Sequence, residues 1–280
     1  MNIKEALQRT TVQLAHVSES ASLDASLLLS KATGFTKLEL FMKETEVLTE
    51  NQLDVFNGLV QRRLKYEPVA YILGEKEFWG LHFFVEKGVL IPRPDTETLV
   101  ATLLALIPNV EFEGRVADLG TGSGAILLSI LSELPHFKGV GVDKNDTALK
   151  IAQKNAENLG FSERVQFKKS DWLDGVDETF HVIVSNPPYI ETSTIQGLME
   201  DVKAYEPVSA LDGGEDGLEC YRSLLKSAYD KLEKGGLLLL EIGYNQKETV
   251  AQLLQNKFEQ VECFKDLAGH DRVMAAIKTR

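Results

Sequence analysis

Cysteine is nearly absent from this chain of 280 residues: Cys220 and Cys263 are the two it has. They lie far apart with no metal-like spacing, which excludes a disulfide framework and a cysteine-rich metal site. They read as reduced structural thiols of a cytoplasmic protein, with no metal expected. Long apolar runs are missing as well. Stretches such as "GLLLLEIG" fall well short of the roughly 18 residues of a membrane span, and the opening "MNIKEALQRT" has no apolar signal segment. No membrane partner is therefore expected. Positive charge is scarce too, and the net charge is −12. Residues 1–74 are nearly balanced, with eight Lys/Arg against nine Asp/Glu, so the deficit of −11 falls on the rest. Residues 186–219 alone hold eight acids (Glu191, Glu200, Asp201, Glu206, Asp212, Glu215, Asp216, Glu219) against Lys203. Such a segment repels a phosphate backbone, so direct nucleic-acid binding is not expected.

What is present is an ordinary folded composition, 44% hydrophobic and 26% charged, at a length that suits two domains. Residues 1–74 read as a small helical bundle. Ile3, Leu7, Leu14 and Val17 recur near helical spacing, Gly34 stops a second helix, and Thr49 with Gln52 forms a capping box before "LDVFNGLVQRRLKY". Pro68 is expected to close that helix. Residues 75–91, "EKEFWGLHFFVEKGVLI", are aromatic and β-branched around Gly80 and Gly88, as in a hairpin-like linker. From residue 92 to 280, strands alternate with helices. "RVADLG", "KGVGVD", "RVQFKKSD", "FHVIVS" and "GLLLLEIG" are near-continuous apolar strands of a parallel sheet covered on both faces. "FEQVECFKDL" and "DRVMAAIKT" close the chain with a short turn between them and should pair antiparallel. The expected fold class is α/β, a Rossmann-like seven-stranded domain behind a helical bundle and a hairpin.

"DLGTGSGA" follows the first of these strands and opens a helix. Gly120, Gly122 and Gly124, with Thr121 and Ser123 between them, let the backbone approach a ligand and turn amides into a cleft. Asp143, downstream of this loop and the helix it opens, ends the neighbouring strand, where a carboxylate accepts both ribose hydroxyls of a nucleoside. The ligand is a dinucleotide or S-adenosylmethionine, since residues 120–125 also fit G-x-G-x-x-A. Asp118 just before the loop suits an aminoacyl ammonium better than a pyrophosphate, and no basic residue lies beside the loop. The plainer alternative is a structural turn with a solvent-facing Asp143. At "SDW", Asp171 is placed to bind an adenine amino group and Trp172 to stack on the ring; the alternative is that Trp172 is core.

"FHVIVSNPPYIETS" ends a buried strand in Asn186, two prolines and Tyr189. The strand should lie beside the glycine-loop strand, at the crevice where doubly wound sheets bind ligands. Asn186 then stands next to the bound ligand, the methyl donor if that ligand is S-adenosylmethionine, with a side-chain carbonyl that accepts one N–H. Pro187 offers a backbone acceptor, and Pro187 and Pro188 fix φ and remove competing donors. Tyr189 can stack on a planar group. Asn186, Pro187, Pro188 and Tyr189 thus form a clamp for an amide or exocyclic amine, with Asn186, Pro187 and Tyr189 as the catalytic set. A simple proline turn would explain the prolines but not their flanking residues.

An "NPPY" loop after such a glycine loop resembles the amino-methyltransferases that act on adenine, guanine or glutamine nitrogens. "PVAYILGEKEFWGL", "VLIPRPDTE", "ADLGTGSGAI", "SDW", "IVSNPPYI", "EPVSALDGGEDGLECYR", "LLLLEIG" and "DLAGHDRV" narrow the resemblance to the peptide chain release factor glutamine methyltransferases. It covers residues 68–280; the helical part matches in size and character. His181 stands where Asp is expected in "FDVIVSNPPY". The resemblance implies methyl transfer from S-adenosylmethionine to the glutamine of a Gly-Gly-Gln loop in a release factor. It also implies a helical domain that docks that protein, Gly120 to Gly124, Asp143 and Trp172 on the cofactor, and Asn186 to Tyr189 on the glutamine. Arg93, Thr96, Glu97 and Glu206-Pro207 are rims of the same cleft, or else a helix start and a loop turn. A monomer is expected. The alternatives are a nucleic-acid adenine or guanine amino-methyltransferase, which needs a basic face, a NAD-dependent oxidoreductase, and a non-catalytic binding module.

Overall fold

The structure is a computed structural model and describes residues 1–107 and 111–279. Helices α1 (Ile3–Leu14), α2 (Ala21–Thr33), α3 (Lys37–Met42), α4 (Glu50–Arg63) and α5 (Val69–Leu73) precede a hairpin of β1 (Glu75–Phe78) and β2 (Leu81–Phe84). Then come α6 (Glu97–Leu106), β3 (Gly114–Leu119), α7 (Ala125–Glu133), β4 (Phe137–Asp143), α8 (Asp146–Leu159), β5 (Val165–Lys169) and β6 (Phe180–Ser185). The chain closes with α9 (Glu200–Tyr205), α10 (Glu219–Lys231), β7 (Leu232–Glu241), α11 (Lys247–Gln255), β8 (Phe258–Lys265) and β9 (Asp271–Lys278). Two compact units result: Met1–Glu75 with Met199–Tyr205, and Lys76–Leu198 with the chain from Glu206 on.

The first unit is helical because its helix starts are capped and its apolar faces meet. Asn2 with Glu5, Thr36 with Glu39, and Thr49 with Gln52 form reciprocal capping boxes, the last as the sequence predicts. Gly34 ends α2 in the left-handed region at φ 74°. Pro68 does not close α4, which ends earlier at Arg63; it is the N-cap of α5, where its missing N–H costs nothing. Ile3, Leu14, Leu28, Leu29, Phe56 and Val60 are buried in one core. Beside it sits a buried ion pair. Arg63 Nε donates to Asp24 Oδ2 at 2.9 Å, and its Nη2 donates to Val17 O at 3.1 Å. The same guanidinium lies 3.6 Å from Asp201, and Tyr205 donates to Lys65 O at 2.8 Å, so α9 is fastened to this unit by its polar side chains.

In the second unit the strand order is β5-β4-β3-β6-β7-β9-β8. Pairing is parallel from β5 to β7 and antiparallel between β7 and β9 and between β8 and β9. The closing pair is therefore antiparallel as predicted, with β9 inserted between β7 and β8. Alternation along each strand feeds two cores. Val116, Val182, Val184 and Leu239 pack with α6 and α7 on one face. Ala117, Leu119, Ile183, Leu238 and Leu240 pack with α10 and α11 on the other. This is why the strands read as continuous apolar runs. The hairpin turns on Trp79 and Gly80, both left-handed at φ 54° and 70°, a twist that matches its strands. Phe78 and Phe83 enter the core of this unit. The chain order reverses at β3, so the carboxyl ends of β3, β4 and β6 border a switch-point crevice.

Removing Asp24 leaves the buried Arg63 with backbone acceptors and, as its remaining ionic partner among the described residues, the more distant Asp201. Asp24→Ala is expected to destabilise the helical unit by about 3 kcal/mol. Urea denaturation followed by circular dichroism checks this, and an unchanged midpoint would show the pair to be neutral.

Candidate active site

Gly120, Gly122 and Gly124 all adopt left-handed backbone, at φ 72°, 56° and 80°. Only glycine enters that region without strain. The three differ in what a side chain would meet. A Cβ at Gly120 or Gly122 would face open space, whereas one at Gly124 would press at 3.3 Å on Ala152 Cβ and Leu128 Cδ1, between α7 and α8. The expectation that the loop turns its amides into the cleft needs correction. Gly120 N and Thr121 N both donate to Val142 O, Gly124 N donates to Thr121 O, and Gly122 N donates to Asp143 Oδ2 at 3.0 Å. With these four amides engaged and a carboxylate beside them, the loop is no phosphate cradle. Asn155, fully buried on α8, steadies it by donating to Ser123 O at 2.9 Å while exchanging hydrogen bonds with Phe84 of the hairpin.

Two carboxyls, Asp118 and Asp143, bond this loop. Asp143 also accepts from Asn145 N at 2.8 Å; burial raises its pKa against the pull of those amides. Asp118, fully buried, accepts from the Thr121 hydroxyl at 2.7 Å through Oδ2, while Oδ1 has no hydrogen-bond partner of normal geometry among the described residues. Burial, reinforced by the Asp143 charge and opposed by Thr121, pushes it up to about 7. Asp171, by contrast, is exposed and paired with Lys144 at 2.8 Å. Gly120, Gly122, Asp143, Trp172, Asn186 and Pro188 line one cavity, together with Pro207 and Cys220. Trp172 reaches it from a left-handed backbone at φ 52°.

The strand that ends in the proline loop is where the sequence places it, parallel to β3 with Leu119 opposite Ser185. The Ser185 hydroxyl donates to Leu119 O at 2.7 Å and ties the two strand ends together. Asn186 Nδ2 donates to Thr96 Oγ1 at 3.2 Å, which commits its amide nitrogen and leaves its carbonyl oxygen as the outward group. Pro187 is buried behind it. The Tyr189 hydroxyl donates to Glu241 Oε1 at 3.3 Å, and burial, with the Glu241 charge, raises its pKa far above the ordinary value. Thr96 is thus brought to the clamp. Arg93 instead pairs with the buried Glu206, which also accepts from Ile91 N at 3.1 Å, and Glu97 accepts from Trp79 N at 2.9 Å.

Two family descriptions match the chain, PrmC N-terminal domain over residues 5–74 and Methyltransferase small domain over residues 94–202. The release factor glutamine methyltransferase of Caulobacter vibrioides is 40% identical over 262 residues, spanning 93% of this chain and 90% of its own. That of Coxiella burnetii is 40% identical over 278 residues, spanning 99% of each. This chain belongs to the release factor glutamine methyltransferase family. A methyltransferase of Pyrococcus furiosus shares the fold, with a TM-score of 0.52 at 20% identity over 79% of this chain and 98% of that one. His181, the departure from the family's strand, accepts from Arg115 N at 3.1 Å and lies 3.5 Å from Glu233, so the sheet simply absorbs it.

Sequence reasoning missed the backing of the family's proline loop. Gly213 and Gly217, from "DGGEDG", lie against it. A Cβ on Gly213 would meet Tyr189 Cα at 2.8 Å, and one on Gly217 would meet Tyr189 O at 2.5 Å. Gln246 Nε2 bridges Tyr189 O and Gly217 O, each at 3.1 Å. Glu241 closes the arrangement from the end of β7. The paired glycines of "DGGEDG" were the available signal, because a close backbone approach is one of the few reasons for such a run. Gly217→Ala, with φ at +69° as a second obstacle, should displace the loop and lower stability by about 1–3 kcal/mol. Thermal unfolding and the amide shifts of Tyr189 and Ile190 report this; parental values for both would refute the backing role.

Proposed function

We propose that this chain methylates the side-chain amide nitrogen of the glutamine in the Gly-Gly-Gln motif of peptide chain release factors, with S-adenosylmethionine as donor. The observation that carries the reading is the family's "NPPY" loop with the Asn186 amide nitrogen committed to Thr96, so that a carbonyl acceptor faces the cavity. The residues fit the donor better than a dinucleotide. Engaged loop amides offer little to a pyrophosphate, whereas the Asp118 oxygen that lacks a partner of normal geometry among the described residues and the Asp143 carboxylate suit a cationic aminoacyl end and a ribose. Gly120 to Gly124, Asp143 and Trp172 would hold the donor, which supplies an electrophilic methyl on a sulfonium. Asp171, paired at the surface with Lys144, is the weakest of the predicted contacts.

Asn186 Oδ1 and the Pro187 carbonyl accept the two N–H bonds of the glutamine amide. Tyr189 packs on its plane. An amide nitrogen is a poor nucleophile because its lone pair is delocalised, and among the described residues no deprotonating base stands in the clamp. The two acceptors instead hold the nitrogen in line with the methyl carbon, and their hydrogen bonds strengthen as the nitrogen gains positive charge. With the donor bound, the bond from sulfur to the methyl would break as the bond to nitrogen forms, leaving a neutral thioether, and the surplus amide proton would pass to solvent.

The helical unit is the proposed dock for the release factor. Leu38, Phe41 and Met42 project from α3 at helical spacing and are 67%, 76% and 74% exposed. Exposed apolar residues grouped in this way mark an interaction surface.

Asn186→Ala is expected to lower single-turnover methylation of a release factor by roughly 10²–10³-fold with donor saturating, while calorimetry shows donor affinity nearly unchanged. Asp143→Ala should reverse the pattern, weakening donor binding by about 1.5–3 kcal/mol. Parental turnover in Asn186→Ala would refute the clamp. Labelled transfer to DNA but not to release factor would overturn the whole reading.

Charge on α3 tests the dock separately. Phe41→Glu with Met42→Glu should raise KM for intact release factor about tenfold and leave kcat in place. An unchanged KM would place docking elsewhere.

A further inference from the structure

Glu241, which ends β7, is 2% exposed, and one of its carboxyl oxygens, Oε2, has no hydrogen-bond partner of normal geometry among the described residues. A hydrophobic residue would fill the end of this strand at less cost, because a buried carboxyl with an unmet oxygen is destabilising. A carboxyl there calls for a reason outside packing. Two of its neighbours supply one. Tyr189 donates to Oε1 at 3.3 Å, and the Thr96 hydroxyl, itself buried, favours its ionised form. Thr96 in turn accepts from Asn186 Nδ2 at 3.2 Å. Glu241 is therefore bonded to Tyr189 at one end of the loop and lies near Thr96, which holds Asn186 at the other.

The direction of the hydrogen bonds along this chain matters more than their strength. The oxygen and nitrogen of an asparagine amide are nearly identical in shape, so the pocket alone does not decide which faces outward; the partner's polarity decides. A threonine hydroxyl both donates and accepts and leaves the question open. An ionised carboxylate only accepts. With Glu241 ionised, Thr96 turns its proton toward the carboxylate and its lone pair toward Asn186, whose nitrogen must then point inward and whose oxygen points to the cavity. We propose that Glu241 is a positioning residue that sets the polarity of the clamp through Thr96 and Tyr189, presenting the Asn186 carbonyl to the substrate amide. The inference rests on the methyl-transfer reading above.

A proton on Glu241 would give Thr96 or Tyr189 a donor where each needs an acceptor, so the clamp should lose its bias in acid. Burial pushes Glu241 up to about 7, against Thr96, Arg272 and Tyr189, which favour the charged form, and with Asp95, which disfavours it. The groups facing it come from several elements: Tyr189 after β6, Asp95 and Thr96 before α6, Arg272 on β9, and Tyr221 on α10, whose hydroxyl donates to Glu241 O at 2.9 Å. Arg272 is itself bound to Asp266 at 3.0 Å and lies 3.3 Å from Asp95, which spreads its charge over three carboxylates.

The test is kcat for release-factor methylation from pH 6 to 9 at saturating donor. The parent should lose turnover as pH falls through about 7. Glu241→Gln, which cannot ionise and carries a donor, should be about tenfold slower at pH 8, consistent with a misoriented clamp, and nearly flat across the range, with donor affinity within about twofold of parent. Should that variant fold poorly, Thr96→Val and Thr96→Ser keep the question open: serine should hold turnover near the parent and valine should lose about tenfold. Parental rate and pH profile in Glu241→Gln, a slower enzyme with the parental profile, or equal rates in the two Thr96 variants would each overturn the inference. If the parent itself fails to methylate release factor, the functional reading falls first and this inference with it.

Discussion

At the carboxyl ends of β3 and β6 two strands leave the sheet side by side, with Leu119 in register with Ser185 and the Ser185 hydroxyl on Leu119 O. That pairing sets where everything else at the site can be. It places Gly120 and Asn186, far apart in the chain, on the wall of one cavity. A slip of one residue would turn every buried side chain of β6 to the opposite core, so the register is strongly fixed by Val182, Ile183 and Val184. The rigidity of the sheet is thus passed on to a loop that has little secondary structure of its own. The prolines keep it from relaxing, and the backbone of Gly213 and Gly217 closes it from behind.

The same crevice gathers carboxyls that are charged with reluctance. Asp118 and Glu241 are each pushed up to about 7 by burial, and Asp143 is raised by the same cause. Asp118 and Glu241 each keep one oxygen unmet among the described residues. Stability associated with such groups is greatest when they are protonated and declines as pH rises through their folded pKa values, so the fold gains nothing from them near neutrality. A cationic ligand would relieve Asp118 and Asp143, which is the sense in which the site suits the proposed donor.

Features that depend on neighbours in sequence were legible in advance. The capping box at Thr49, the stop at Gly34, the glycine loop, the antiparallel closing pair and the position of β6 beside β3 all follow from short-range pattern and from the topology of parallel sheets. Local reasoning went astray where a local motif has two outcomes. Pro68 can end a helix or start one, and glycine amides can face a ligand or a neighbouring strand. Glu241, Gln246 and Asn155 were beyond reach for a different reason, and Thr96 was legible as a rim of the cleft but not as the partner of Asn186. Their partners come from remote parts of the chain and meet them only through the fold, as with Asn155 on Ser123 and Glu241 near Thr96. Nothing in their own surroundings announces a polar role.

The helix Glu200–Tyr205 belongs to the helical unit although the chain on either side of it belongs to the other. The helical unit is therefore discontinuous: its segment Met199–Tyr205 is encoded far downstream of the rest. Exchanging this unit between relatives, in evolution or by design, means moving two segments together. A graft of Met1–Glu75 alone would bring Arg63 and the Lys65 carbonyl to a helix drawn from another sequence. It would succeed only where that helix also offers an acid for Arg63 and a hydroxyl for Lys65.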